Sequence, residues 1–160
     1  MDKKNKINEV LVKLINDIWI LEKRALITEE FEELTANDFH VIEAIGTGKG
    51  DNMGNIAKRL NVTVGTLTTN VNSLVNKQYA KRSRSQADRR VVYVKLTPKG
   101  IKAYEHHAKY HEDMTNAIIE SMTEEEMPVL VKMLDSLDEF FSREPEEIVK
   151  AKKAMGRVHK

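Results

Sequence analysis

The chain has 160 residues, a formal net charge of +1 and no cysteine. That length suits one domain with a helical extension and a real apolar core. The absence of cysteine excludes disulfides, thiol redox switching and Cys-ligated zinc. No signal-peptide pattern and no apolar run long enough for a bilayer is present, so a cytoplasmic protein with no membrane partner is expected.

From about Ile7 to Leu26 the apolar residues Ile7, Val10, Leu11, Leu14, Ile15, Ile18, Trp19 and Leu21 form a wide helical stripe. Thr28 to Leu34 is acidic and irregular. Thr35, followed three residues later by Asp38, predicts a capping box opening a helix that buries Phe39, Val41, Ile42 and Ile45. Gly46, Gly48 and Gly50 end that helix in a loop. Met53 to Leu60 then places Met53, Ile56, Ala57 and Leu60 on one helical face. Asn61-Val62 is a turn, and Thr63 suits an N-cap because its hydroxyl can accept from the free N–H groups that follow. The next helix, Val64 to about Lys77, has Leu67, Val71, Leu74 and Val75 as its buried stripe. Two helices joined by so short a turn form a helix-turn-helix, whose second member is the recognition helix.

The other face of that helix carries Thr66, Thr68, Thr69, Asn70, Asn72 and Ser73, with almost no charge. A merely solvated helix would more often carry Glu and Lys, which favour helices more. Small hydrogen-bonding side chains suit a groove floor, where base edges and thymine methyls are met. After Tyr79 the period becomes alternating. Val91, Val92, Tyr93, Val94 and Leu96 read as a strand, Ala80 to Ser85 as its partner, and Ser85 to Arg89 as the turn. From Lys77 to Lys102 there are nine lysines and arginines against one acid, Asp88, a local balance of +8; with +1 for the whole chain, the rest sums to −7. A charged edge that resists sheet-to-sheet pairing would explain the hairpin alone. Beside a helix-turn-helix, a basic ribbon instead reads as contact with nucleic-acid phosphates and a minor groove. Asp88 is expected to brace an arginine there.

Thr97-Pro98 opens a long helix to about Met122, with Ile101, Tyr104, Ala108, His111, Met114 and Ile118 inward. Thr123 with Glu124, Glu125 and Glu126 is expected to start another, whose apolar side is Leu130, Val131, Met133, Leu134, Leu137, Phe140 and Phe141. The first helix and these last two carry more apolar surface than one small domain covers. The tail from Ser142 to Lys160 is basic, and Glu146 to Met155 has the pattern of one more short helix. Disorder, DNA contact and partner contact are all open for it. The expected organisation is 1–34 an N-terminal helical segment, 35–100 the DNA-binding domain, 101–142 C-terminal helices and 143–160 the tail, with either a larger single core or a second subunit to cover the surplus apolar surface.

His107 and His111 are four apart on a helix, a spacing that can put two imidazoles on one metal. A hydrogen-bonded core pair is the commoner use of interior histidines, and lining an effector cavity is a third. No P-loop, nucleotide glycine fingerprint or nucleophile elbow is present, so no enzyme is expected. The acids Glu124 to Glu126 are explained by the helix dipole.

The order helix-turn-helix, then RSRSQADRRVVYVKLTPKG, resembles the MarR family of winged-helix transcription regulators. The turn Asp88-Arg89-Arg90 and the exit Leu96-Thr97-Pro98-Lys99-Gly100 carry the likeness. Within the family, VTVGTLTTNVNSLVNKQY followed by RSRSQADRRVV is similar to FabT-type repressors of fatty-acid synthesis. The resemblance implies a mainly α fold with a small β-wing: a winged helix-turn-helix DNA-binding domain plus a helical dimerisation region. It implies a homodimer on double-stranded DNA with a pseudo-palindromic operator. Thr63, Thr66, Thr68, Thr69, Asn70 and Ser73 would lie in the major groove, Arg89 and Arg90 with Asp88 at the minor groove, and Arg82 and Arg84 on phosphates. No cofactor is required. FabT-type repressors use long-chain acyl groups on acyl carrier protein as co-repressor, which would make Ile15, Ile18, Trp19, Phe39, Ile42, Tyr104 and Met114 the walls of an effector cavity. Zinc-responsive members draw ligands from places similar to Glu22, His40, His107 and His111, although no cysteine is available here and FabT-type repressors carry much the same histidines. A regulator sensing zinc or a small aromatic or lipophilic ligand is the alternative, and a winged-helix module that binds protein a weaker one.

Overall fold

The computed structural model describes residues 2–84, 88 and 90–142. Helix α1 spans Lys3–Leu26, with Asp2 as N-cap accepting from the Lys4 N–H at 3.3 Å. A 3₁₀ turn at Glu29–Phe31 leads to α2, Ala36–Ile45. The capping box expected at its start is formed. Thr35 Oγ1 accepts from the Asp38 N–H at 3.2 Å, and Asp38 Oδ2 accepts from the Thr35 N–H at 2.9 Å. Lys77 Nζ adds a third bond to that carboxylate at 3.0 Å, so the box also ties α2 to the end of the reading unit.

Next come β1 (Asp51–Asn52), α3 (Met53–Arg59) and α4 (Val64–Asn76). The turn between the two helices is made by Asn61 at φ 52°, a left-handed conformation that asparagine tolerates better than most residues. Strands β2 (Ala80–Arg84) and β3 (Val92–Leu96) form the wing. The sheet is antiparallel in the order β1-β3-β2, with Arg82 opposite Val94 and Arg84 opposite Val92. The short β1 pairs Asp51 with Val94. It requires a close approach: a Cβ on Gly50 would stand 2.6 Å from the Val94 carbonyl oxygen, and Gly50 has φ 95°. This strand was not expected from the sequence, because two polar residues have no readable period.

Helix α5 spans Pro98–Glu120, and α6 Met127–Ser142. The helix expected to open at Thr123 begins four residues later. Residues 124–126 form a turn first, in which Glu126 Oε2 accepts from the Thr123 N–H at 3.0 Å. The possible helix at 146–155 lies outside the described residues.

The chain divides into two compact units, Met1–Asp113 and Met114–Lys160. In the first, Leu26, Phe31, Leu34, Phe39, Ile42, Ile56, Leu67, Val71, Leu74, Tyr79, Val94 and Leu96 make one continuous core. Burial of these side chains is worth roughly 1.5–3 kcal/mol each before the opposing entropy. Tyr79 seals the wing's base. Its ring is fully buried, its OH donates to Glu33 at 3.0 Å, and Lys99 Nζ sits 4.3 Å over the ring while also bonding Glu33. Within α1 only Glu22 and Leu26 are buried, and Ile7, Leu14, Ile15, Trp19 and Leu21 are exposed. In the second unit α6 buries nothing, and Val129, Val131, Met133, Leu134, Phe140 and Phe141 are exposed.

Candidate nucleic-acid interface and histidine cluster

The orientation of α4 is set by its core side, where Leu67, Val71 and Leu74 have no exposure. At 100° per residue, the positions opposite that stripe are Gly65, Thr69, Asn72 and Asn76, and all four are exposed. Thr66, also exposed, and the half-buried Ser73 flank them on one side. Thr68 and Asn70 are half-buried at the margins. Thr63 is occupied as the cap. Its Oγ1 accepts from the Thr66 N–H at 3.1 Å and lies 3.0 Å from Thr66 Oγ1. Thr68 Oγ1 donates back to the Val64 carbonyl at 2.7 Å, which leaves it able only to accept. The outward face therefore has the small, polar, uncharged character the sequence promised, centred on Thr69 and Asn72. Asn72 was not among the expected base readers. Its spacing of three from Thr69 and four from Thr68 was the available signal.

On the wing, Arg82 and Arg84 are two apart on β2 and so lie on one face. Arg84 is exposed. Arg82 is engaged: Nη1 donates to Asn72 Oδ1 at 2.5 Å, and Nη2 donates to the Thr68 carbonyl at 3.3 Å. Arg82, expected on phosphates, thus uses two of its donors to hold the wing against α4. Asp88 braces Arg90 through the backbone: its Oδ1 accepts from the Arg90 N–H at 2.9 Å, and its carbonyl from the Val91 N–H at 3.0 Å. Arg90 is exposed. Arg89 lies outside the described residues. Between wing and helices run two open clefts, one of about 430 Å³ lined by Met53, Thr68, Arg82 to Arg84 and Val92, the other of about 570 Å³ lined by Asn52 to Gly54, Val64, Thr68 and Arg90 to Val92.

The residues expected to wall an effector cavity in the first unit divide between core and surface. Phe39 and Ile42 are fully buried in the core, whereas Ile15, Ile18 and Trp19 stand on the exposed face of α1. Tyr104 is half-buried against the core, and Met114 belongs to the second unit. Helical periodicity marks an apolar face but does not say whether the same chain covers it.

Of the four suggested metal ligands, Glu22, His107 and His111 converge, and His40 reaches Glu22. Glu22 Oε1 lies 2.9 Å from His40 Nε2, 3.4 Å from His107 Nε2 and 3.9 Å from His111 Nε2, and the two Nε2 atoms of His107 and His111 are 2.9 Å apart. Ligand atoms of Glu22, His107 and His111 fall within 4.8 Å of one another. Glu22 and His107 are buried. Burial alone would raise the Glu22 carboxyl, but bonds from His40 and His107 and their charge outweigh it and hold it below its ordinary value. Burial pushes His107 below its ordinary value, with Glu22 pulling partly back. A deprotonated carboxylate beside a neutral imidazole is the state a divalent metal needs, and two imidazole nitrogens with one carboxylate oxygen is a donor set zinc accepts. The same geometry also satisfies itself by hydrogen bonding.

Comparison with known proteins places this arrangement. Residues 25–107 match the family described as transcriptional regulator SarA/Rot. The structure of Streptococcus pneumoniae FabT in complex with DNA is 36% identical and superposes with a TM-score of 0.83, covering 87% of this chain and 97% of that one. A mutant MarR from E. coli complexed with operator DNA is 27% identical at a TM-score of 0.60, covering 86% and 99%. The transcriptional regulator ZitR of Lactococcus lactis subsp. cremoris (strain MG1363) is 30% identical over 112 residues, 68% of this chain and 77% of that protein. A mainly helical chain with a helix-turn-helix and a three-stranded wing is a winged-helix regulator. The chain belongs to the SarA/Rot family of transcriptional regulators and, with it, to the MarR-type winged-helix proteins that bind DNA. Its relatives are regulators, not enzymes. No helix among the described residues is long and apolar enough to cross a membrane.

Proposed function

We propose that this regulator is a homodimeric repressor of fatty-acid synthesis genes, with long-chain acyl-acyl carrier protein as its co-repressor. The observation that carries the reading is the likeness to DNA-bound FabT, 36% identical with a TM-score of 0.83 over 97% of that chain. In this reading Thr66, Thr69 and Ser73 meet base edges in the major groove, Arg90 reaches the minor groove and Arg84 a phosphate. The uncovered apolar faces of α1 and α6 support a second copy as their occupant, with residues 1–34 and 101–142 as the dimerisation region. Two-fold symmetry matches two half-sites one DNA turn apart. The acyl chain would enter a chamber completed by the dimer, with Ile15, Ile18 and Trp19 on its wall. The ligand then stabilises the DNA-competent state by its differential affinity for it.

A second reading is favoured by one observation, the convergence of Glu22, His107 and His111, with His40 bonded to Glu22: a regulator that senses zinc. One titration separates the two. The affinity for a duplex from upstream of fatty-acid synthesis genes is measured in EDTA, with and without palmitoyl-acyl carrier protein. Tightening with the acylated carrier is expected. Indifference to it, with binding restored by zinc, would replace the lipid reading with the metal one.

A further inference from the structure

The side-chain amide of Asn72 is held in one orientation. An arginine offers only donors, so the atom that Arg82 Nη1 meets at 2.5 Å must be the amide oxygen. The nitrogen with its two N–H groups is then turned away from the wing. Arg82 is itself fixed by its second bond, to the Thr68 carbonyl one turn earlier on α4. Asn72 is exposed and stands beside Thr69 on the side of the helix opposite Leu67, Val71 and Leu74. A solvent-exposed asparagine ordinarily turns its amide over to suit whatever it meets, and its oxygen can accept as readily as its nitrogen donates. Here turning over would bring N–H groups against the guanidinium.

We infer that Arg82 is a positioning residue that makes Asn72 a specificity determinant, presenting its N–H donors to a major-groove acceptor. This rests on the reading that α4 enters the major groove. Guanine offers N7 and O6 there, adenine N7 and thymine O4, whereas cytosine offers only its N4 donor. One base pair in each half-site is therefore read by exclusion of cytosine on the contacted strand. The wing contributes to sequence recognition through this bond, without touching the base.

The test is selection of bound duplexes from a random pool by the full-length protein, followed by affinities for the four bases at each selected position. Wild type is expected to disfavour cytosine at one position per half-site by roughly tenfold or more, as one good base contact allows. Arg82→Met and Asn72→Ala should each bring that position to within about twofold and leave the others unchanged, and the double variant should be no worse than either single one, as expected for residues acting as a unit. Asn72→Ala leaves Arg82 its bond to the Thr68 carbonyl, so it keeps the test valid if Arg82→Met loosens the fold. If Arg82→Met instead weakens all sequences alike and lowers the salt slope by about one for each arginine lost, Arg82 is a phosphate contact and the inference is overturned. If Asn72→Ala alters no position while Thr69→Ala does, the inference also falls, with the groove reading intact. If neither alters any position, the placement of α4 itself is wrong.

Discussion

At the scale of single residues, two roles can be separated by what each side chain already holds. Thr63 is bonded to the first turn of α4, so Thr63→Ala should cost about 1 kcal/mol in a urea melt, as loss of an N-cap does. Thr63→Ser should be near neutral, because it keeps the oxygen. Equal stability of the Ala variant would contradict the cap. The histidine cluster predicts a pH dependence. His107 sits below its ordinary value of 6.5, so the unfolded chain takes up that proton first and stability falls as pH drops below 6.5. Glu22 is held below its ordinary 4.5, so its contribution, full above that value, is lost in stronger acid. In EDTA, the melting temperature should fall between pH 7 and pH 5 in wild type and fall less in His107→Gln. Parallel curves would deny His107 the role. Spacing announced His107 with His111, and the family resemblance announced Glu22. That Glu22, eighty-five positions earlier than His107, would face it at 3.4 Å follows from tertiary packing that no local pattern encodes.

At the scale of elements, the reading unit and wing were legible because their signals are local: a cap, a short turn, a change of period from helical to alternating. The polar face of α4 followed from the same periodicity that buried Leu67, Val71 and Leu74. The link between wing and helix was not legible. It joins Arg82 to Thr68 and Asn72, residues that share no pattern with it. The wing's exit gives a sharp test. A Cβ on Gly100 would lie 2.0 Å from the Tyr79 carbonyl oxygen, so the start of α5 seats against the wing only with glycine there. Gly100→Ala should destabilise by about 2 kcal/mol or more in chemical denaturation, the range of overpacked sites. An unchanged midpoint would mean the helix start is not held against Tyr79.

At the scale of the whole molecule, the sequence showed too much apolar surface but could not assign it between core and partner. Within the described residues Phe140 and Phe141 stack edge-to-face at 5.3 Å and are exposed by 51% and 67%, a surface that water disfavours and a second copy would cover. The joint variant Phe140→Asp/Phe141→Asp should sediment as a monomer and lose operator affinity at least about a hundredfold, because only a dimer spans both half-sites. A dimeric variant would move the interface elsewhere. Whether α4 and the wing grip DNA together is read from the salt dependence of binding to one promoter duplex. Arg84→Ala/Arg90→Ala should keep the fold, bind much more weakly and show a log–log salt slope shallower by roughly one for each arginine removed. Wild-type affinity and slope in that variant would contradict it.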